Sequence, residues 1–194
     1  MRKRIANLTS NILNPFLVSL IVILLLSFGS TPGIFDALKW SLILIAVTIV
    51  PVFLVTAYLV RNKRLDNLFI DVRKQRTKIY LLAIACAVVG SIILIYFGAP
   101  LILVAAVVAG LSAIVIFMGV NLLWKISLHT ALIAASVTLL VILHGSIAAV
   151  TAALLPLIAW ARITLGYHSL AQVATGAFLA SLIVVIVFYL FGLV

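Results

Sequence analysis

Acidic residues are almost missing from this chain: 3, against 13 Lys and Arg, in 194 residues, for a formal net charge of +10. A metal site held by carboxylates, or acid–base work by paired carboxylic acids, has little to build on. Charge of either sign is scarce at 8% of residues, while 67% are hydrophobic. A soluble domain of this length needs a polar exterior that such a composition does not supply. The single cysteine, Cys86, lies in an apolar run. There is therefore no disulfide framework, and the side chain reads as a small buried hydrophobe. The regular polar–apolar alternation of a membrane β-barrel is lacking, and an open sheet cannot span lipid. No nucleic-acid recognition module accompanies the basic charge, so no nucleic-acid partner is expected. The first apolar run lacks an A-x-A-like cleavage site and is expected to stay as a helix.

What is present is a succession of long apolar runs. Crossing the hydrocarbon core takes roughly 20 mostly apolar residues. On that measure the expected spans are 13–28, 40–60, 79–97, 100–123, 129–144, 147–163 and 169–191. Pro32, Gly33, Gly98, Pro100 and His144-Gly145-Ser146 punctuate them. The expected fold is all-α: a polytopic transmembrane helical bundle of about seven spans, six to seven, forming one transmembrane domain over 1–194. The fifth and sixth spans are short and closely joined, as in a helical hairpin. The polar stretch 61–78, RNKRLDNLFIDVRKQRTK, is too short for a domain and reads as a basic cytoplasmic loop.

With seven spans, the N-terminus, 61–78, 124–128 and 162–168 fall on one side, with twelve cations against Lys39 alone on the other. The positive-inside rule places that side in the cytoplasm, and its charge attracts anionic membrane lipids. The compact chain suits a prokaryotic plasma membrane.

Ionisable groups in or beside spans are costly and usually functional. Here they gather in WKISLHT (124–130) and WARITLGYHSLAQVATG (160–176), which the span count puts on the same side. The first offers Lys125, Ser127 and His129; the second offers Arg162, His168 and Gln172. Two histidines without acids make a poor metal site, and no metal or cofactor is expected. Histidines with cations suit an anion, and at a membrane the obvious anion is a lipid phosphate. Arg162 offers a fork for two phosphate oxygens. Gln172 lies one helical turn after His168, so its oxygen can accept the histidine N–H. The bland readings stand beside these. Arg162 and Lys125 suit snorkelling anchors, His129 an interhelical hydrogen bond, and His144 an interfacial residue. Trp124, Trp160 and Tyr167 match an aromatic belt.

The second motif, R-x5-H-x3-Q with Gly166, Val173 and Gly176 around it, resembles the third motif of the type-2 phosphatidic acid phosphatase superfamily, S-R-x5-H-x3-D. Ser127-Leu128-His129 is similar to that family's second motif, P-S-G-H. The resemblance covers roughly residues 70–180. It implies that His168 attacks phosphorus, His129 protonates the leaving oxygen, Gln172 orients His168, and Arg162 and Ser127 hold the phosphate, without a metal. Lys125 and, from the loop where the first motif would lie, Arg73, Arg76 and Lys78 join them as phosphate-binding candidates. Ala161, Ile126, Leu128 and Gln172 depart from the family's Ser, Pro, Gly and Asp, and K-x6-R-P does not occur as written. The resemblance implies a lipid phosphatase acting on a phosphate or diphosphate monoester of an isoprenoid or glycerolipid. The alternative is a catalytically weakened relative that binds phospholipid or supports a membrane complex. A transporter is less favoured, because no span carries an acidic coupling residue.

Overall fold

The computed structural model describes residues 1–66 and 76–194. The described chain is helical, with no strand among the described residues. In chain order the helices are α1 (Arg2–Ile12), α2 (Pro15–Ser30), α3 (Ile34–Leu44), α4 (Val50–Arg61), α5 (Arg76–Tyr96), α6 (Leu101–Leu123), α7 (Leu128–His144), α8 (Leu154–Thr164) and α9 (Leu170–Leu190). Local chemistry sets the breaks. Asn14 ends α1 and starts α2: its Oδ1 accepts the Leu17 N–H at 3.0 Å, and Pro15 fills the first helical position. A residue before proline disfavours helix, so one run becomes two helices bent by 43°. Between α3 and α4 the backbone widens into a π turn, Ile45–Ile49. Pro51 lacks an N–H and its ring would collide with the carbonyl four residues back, so the ladder slips there without ending.

Among the described residues, five helical runs are long and apolar enough to cross a membrane, six if the bent pair α1–α2 counts as one span. Seven separate spans are thus more than length and composition show. The difference lies at Leu128–Thr164, which has no polar interruption and counts as a single 37-residue run. That run is not straight. Extended as one helix it would reach about 55 Å, yet Lys125 Nζ donates to the Tyr167 carbonyl at 2.9 Å. The chain reverses at Gly145 (φ +67°) and returns through a 3₁₀ segment, Gly145–Ala153, into α8. The expected helical hairpin is present. The sequence reading missed α1 as a helix and began the second span at 40, where the helical run starts at Ile34.

The chain forms two compact units, Met1–Val18 with Val120–Val194, and Ser19–Gly119. In the second, α5 meets the π turn where Gly90 leaves room for Thr48; a Cβ at 90 would lie 3.3 Å from Thr48 Cγ2. In the first, α7 and α9 lie side by side. Thr130 Oγ1 shares its proton between the Ser127 carbonyl at 3.1 Å and the Val173 carbonyl at 3.3 Å, and the Thr138 hydroxyl, bonded to the Ala134 carbonyl at 2.8 Å, lies 2.9 Å from Ser181 Oγ. The Thr130–Val173 and Thr138–Ser181 contacts join residues 43 apart in sequence, so the two helices run parallel and begin at the same end. The α7–α8 hairpin is the return path that makes this possible.

Candidate functional site

The parallel start of α7 and α9 gathers the residues singled out by sequence. The Arg162-to-Gln172 stretch is two helix ends joined by a turn. α8 closes with Gly166 in the left-handed region (φ +74°), which glycine adopts without strain. The Gly166 N–H bonds to the Ile163 carbonyl at 2.9 Å and the Tyr167 N–H to the Arg162 carbonyl at 3.1 Å. This double bond pattern, the Schellman motif, folds Tyr167 back over the position that Arg162 occupies. The Arg162 guanidinium therefore lies over the Tyr167 ring, 4.4 Å from its centroid, a cation–π contact. Lys125 fastens the turn from outside through its bond to the Tyr167 carbonyl.

α9 then starts with a capping box. Ser169 Oγ accepts the Gln172 N–H at 3.4 Å, and Gln172 Oε1 accepts the Ser169 N–H at 3.2 Å. The same Oε1 lies 3.2 Å from His168 Nδ1. Gln172 therefore has two tasks, capping the helix and holding the imidazole. The expected His168–Gln172 pair is present in the geometry.

The other strip joins at α7. Ser127 is its N-cap, with Oγ accepting the Thr130 N–H at 3.4 Å, while the Ser127 N–H donates to the Gln172 carbonyl at 3.3 Å. The helices approach so closely that a Cβ on Gly176 would lie 2.9 Å from the Ser127 carbonyl oxygen. His129 sits in the first turn of α7, and His168 immediately before the cap of α9. Ser127, His129, Arg162 and His168 are all buried, at 0%, 4%, 2% and 6% exposure. Ionisable side chains are rarely buried so fully without a specific role or partner.

Lys125, Ser127, Arg162, His168 and Gln172 thus form one connected set, and His129 stands at the same end of the same helix pair. Arg73 lies outside the described residues. Arg76, buried, and Lys78, exposed, stand at the start of α5 in the other unit. The sequence reading missed Ser10, which accepts a hydrogen bond from Arg162 Nη1 at 3.0 Å, and Thr130, which ties α7 to α9. It also treated Tyr167 only as a belt residue. L-G-Y after Arg162 and S-x-x-Q at 169–172 were legible as a helix stop and a capping box; nothing in the sequence pointed to Ser10.

The unit holding these residues contains Arg2, Lys3, Arg4, Lys125 and Arg162 and no Asp or Glu. Its field favours anions. No family model, curated protein or solved structure matches the chain.

Proposed function

We propose that this chain is an integral membrane lipid phosphatase, a divergent relative of the type-2 phosphatidic acid phosphatases. It hydrolyses a phosphate or diphosphate monoester of an isoprenoid or glycerolipid through a phosphohistidine. The observation that carries the reading is the pairing, across one helix–turn–helix, of a buried histidine held at Nδ1 by Gln172 with a buried guanidinium held over Tyr167.

The chemistry follows from those positions. With its proton on Nδ1, His168 donates to Gln172 Oε1 and carries its lone pair on Nε2, the atom that attacks phosphorus. The N–P bond forms as the bond from phosphorus to the leaving oxygen breaks. His129 gives that oxygen a proton, and Arg162 stabilises charge on the transferring group. Water then attacks the phosphohistidine, its proton returns to His129, and the N–P electrons return to Nε2. Lys125 and Ser127 are the candidates for further phosphate contacts. The reaction needs no cofactor.

In this reading the hairpin α7–α8 makes two crossings, giving seven with the bent α1–α2 pair. The motif end then faces the cytoplasm, where anionic lipids gather. Single cysteines in a Cys86→Ala background check the orientation. One at Ser169 should resist a membrane-impermeant thiol reagent in intact cells, and one at Thr31 should react. The opposite pattern places the site outside.

The function is tested by phosphate release from a long-chain phosphatidic acid and an isoprenyl diphosphate in mixed micelles. Purified protein should release phosphate and His168→Ala should not; release that persists unchanged in the variant removes the mechanism. One observation favours the second reading, a weakened relative that binds phospholipid: Gln172 oxygen is already engaged in the capping box and brings no charge to the imidazole. Inactive wild type together with an active Gln172→Asp variant would establish it.

A further inference from the structure

The Arg162–Ser10 contact joins residues 152 apart in the chain, and the function just proposed gives it no task. Ser10 lies near the end of α1, 2% exposed, with Ala6 one turn earlier at 0%. These two small residues form the face that α1 turns toward α8. Arg2, Lys3, Asn7 and Asn11 remain exposed, as do Ile5, Leu8 and Ile12. A buried serine within a helix commonly returns its hydroxyl to the carbonyl four residues back. The buried Ser41, Ser91 and Ser136 do so in this chain. Ser10 instead accepts from a guanidinium on another helix.

We propose that Ser10 is a positioning residue of the anion site: it fixes the Arg162 guanidinium, and so makes the N-terminal helix part of that site. The proposal rests on the reading of Arg162 as a phosphate ligand. Two contacts of different kinds act on the guanidinium. The Tyr167 ring, 4.4 Å away, restrains its plane, and Ser10 Oγ, 3.0 Å from Nη1, restrains its rotation within that plane. Bidentate recognition of phosphate depends on both, because the donor fork is rigid and its bonds are directional. A lysine in place of Arg162 would need neither restraint, which explains why the structure invests a second helix in holding an arginine.

The test uses the full chain in lipid nanodiscs, with orthovanadate as a tetrahedral phosphate mimic and a lipid phosphate as substrate. Ser10→Ala should weaken vanadate binding and raise KM about tenfold, the lower range for a hydrogen bond to a charged group. Its kcat should fall by less than KM rises, since Arg162 holds the phosphate in the ground state as well as in the transition state. Ser10→Thr, which keeps the hydroxyl, should restore both quantities to within about threefold of wild type. If wild type binds vanadate and Ser10→Ala binds it equally well, the Ser10 role is wrong and the phosphatase reading stands. A Ser10→Ala protein with lower kcat and melting temperature but unchanged KM assigns Ser10 to folding and also overturns the proposal. Wild type that neither binds vanadate nor releases phosphate removes the phosphatase reading, and the task of Ser10 with it.

Discussion

In the unit Ser19–Gly119, several buried and half-buried hydroxyls turn back on their own helices. Ser41, Thr48, Thr56, Ser91 and Ser112 each donate to the carbonyl four residues earlier, at 2.6 to 2.9 Å. In the unit built from Met1–Val18 and Val120–Val194, polar groups also reach across. Thr130 bonds to Val173, Thr138 to Ser181, Lys125 to Tyr167 and Arg162 to Ser10. A hydroxyl bonded within its own helix is satisfied wherever its neighbour lies, so it fixes no register. A bond between helices fixes both partners. Asp36 and Asp66 belong to the first of these units and both motif histidines to the second. The bonds from α7 to α9 and from α8 to α1 therefore specify a geometry that hydroxyls bonded within one helix do not.

The sharpest break between the halves should appear in catalysis. His168→Ala should lower phosphate release about a thousandfold or more, the scale on which removal of a nucleophile acts. Ser91→Ala, at a buried but self-satisfied hydroxyl, should leave release unchanged. Comparable losses in both would mean that the polar end of α7 and α9 is not the reacting centre.

Gln172 sharpens the comparison at the level of one oxygen. Gln172→Leu should lower turnover by roughly tenfold to a hundredfold, by removing a bond that holds the imidazole as it becomes charged. Gln172→Glu keeps the length of the side chain and the capping box, adds the compensating charge, and should match or exceed wild type. Gln172→Asp also supplies a carboxylate but is one methylene shorter, and should fall between the two. Equal turnover in all four proteins would reduce Gln172 to a helix cap.

Stability should show the same division. Gly176→Ala drives a methyl group toward a backbone oxygen 2.9 Å away, at the packed start of α7, which cannot yield without moving Thr130 and Gln172. A loss of about 1–3 kcal/mol is expected from overpacking of this kind. Gly90→Ala meets only the Thr48 methyl at 3.3 Å, and the better helix propensity of alanine, up to about 1 kcal/mol, offsets the contact. Thermal melting of the purified variants decides whether the two glycines differ. The smallest effect belongs to Thr138→Val, which removes one interhelical bond worth about 0.6 kcal/mol in a membrane bundle. Ser41→Ala should change melting by less than that.

Much of this arrangement was legible from residue order. Apart from α1 and the start of the second run at Ile34, apolar length located the helical runs closely, because a span needs little besides length and composition. The hairpin was visible in His144-Gly145-Ser146, and the His168–Gln172 pair followed from helical periodicity. The start of α9 was written in S-x-x-Q, and the stop of α8 in L-G-Y. What sequence could not show was contact between distant segments. Ser10 looks like any polar residue in a basic N-terminal stretch; its part appears only when α1 is packed on α8. The close approach at Gly176 likewise depends on the neighbouring Ser127 carbonyl, not on anything around Gly176 in the chain. α1 was missed because many of its residues are polar and the apolar criterion begins only at residue 13.

The most direct measurement is capture of the covalent intermediate. Purified protein mixed with a radiophosphate-labelled lipid phosphate and quenched rapidly in alkali should carry label that alkali preserves and acid releases, as a phosphoramidate bond does. The label should be absent from His168→Ala, and in the wild type it should map to the peptide containing His168. Phosphate release by wild type with no trapped label, or with label on a residue other than His168, would contradict the account.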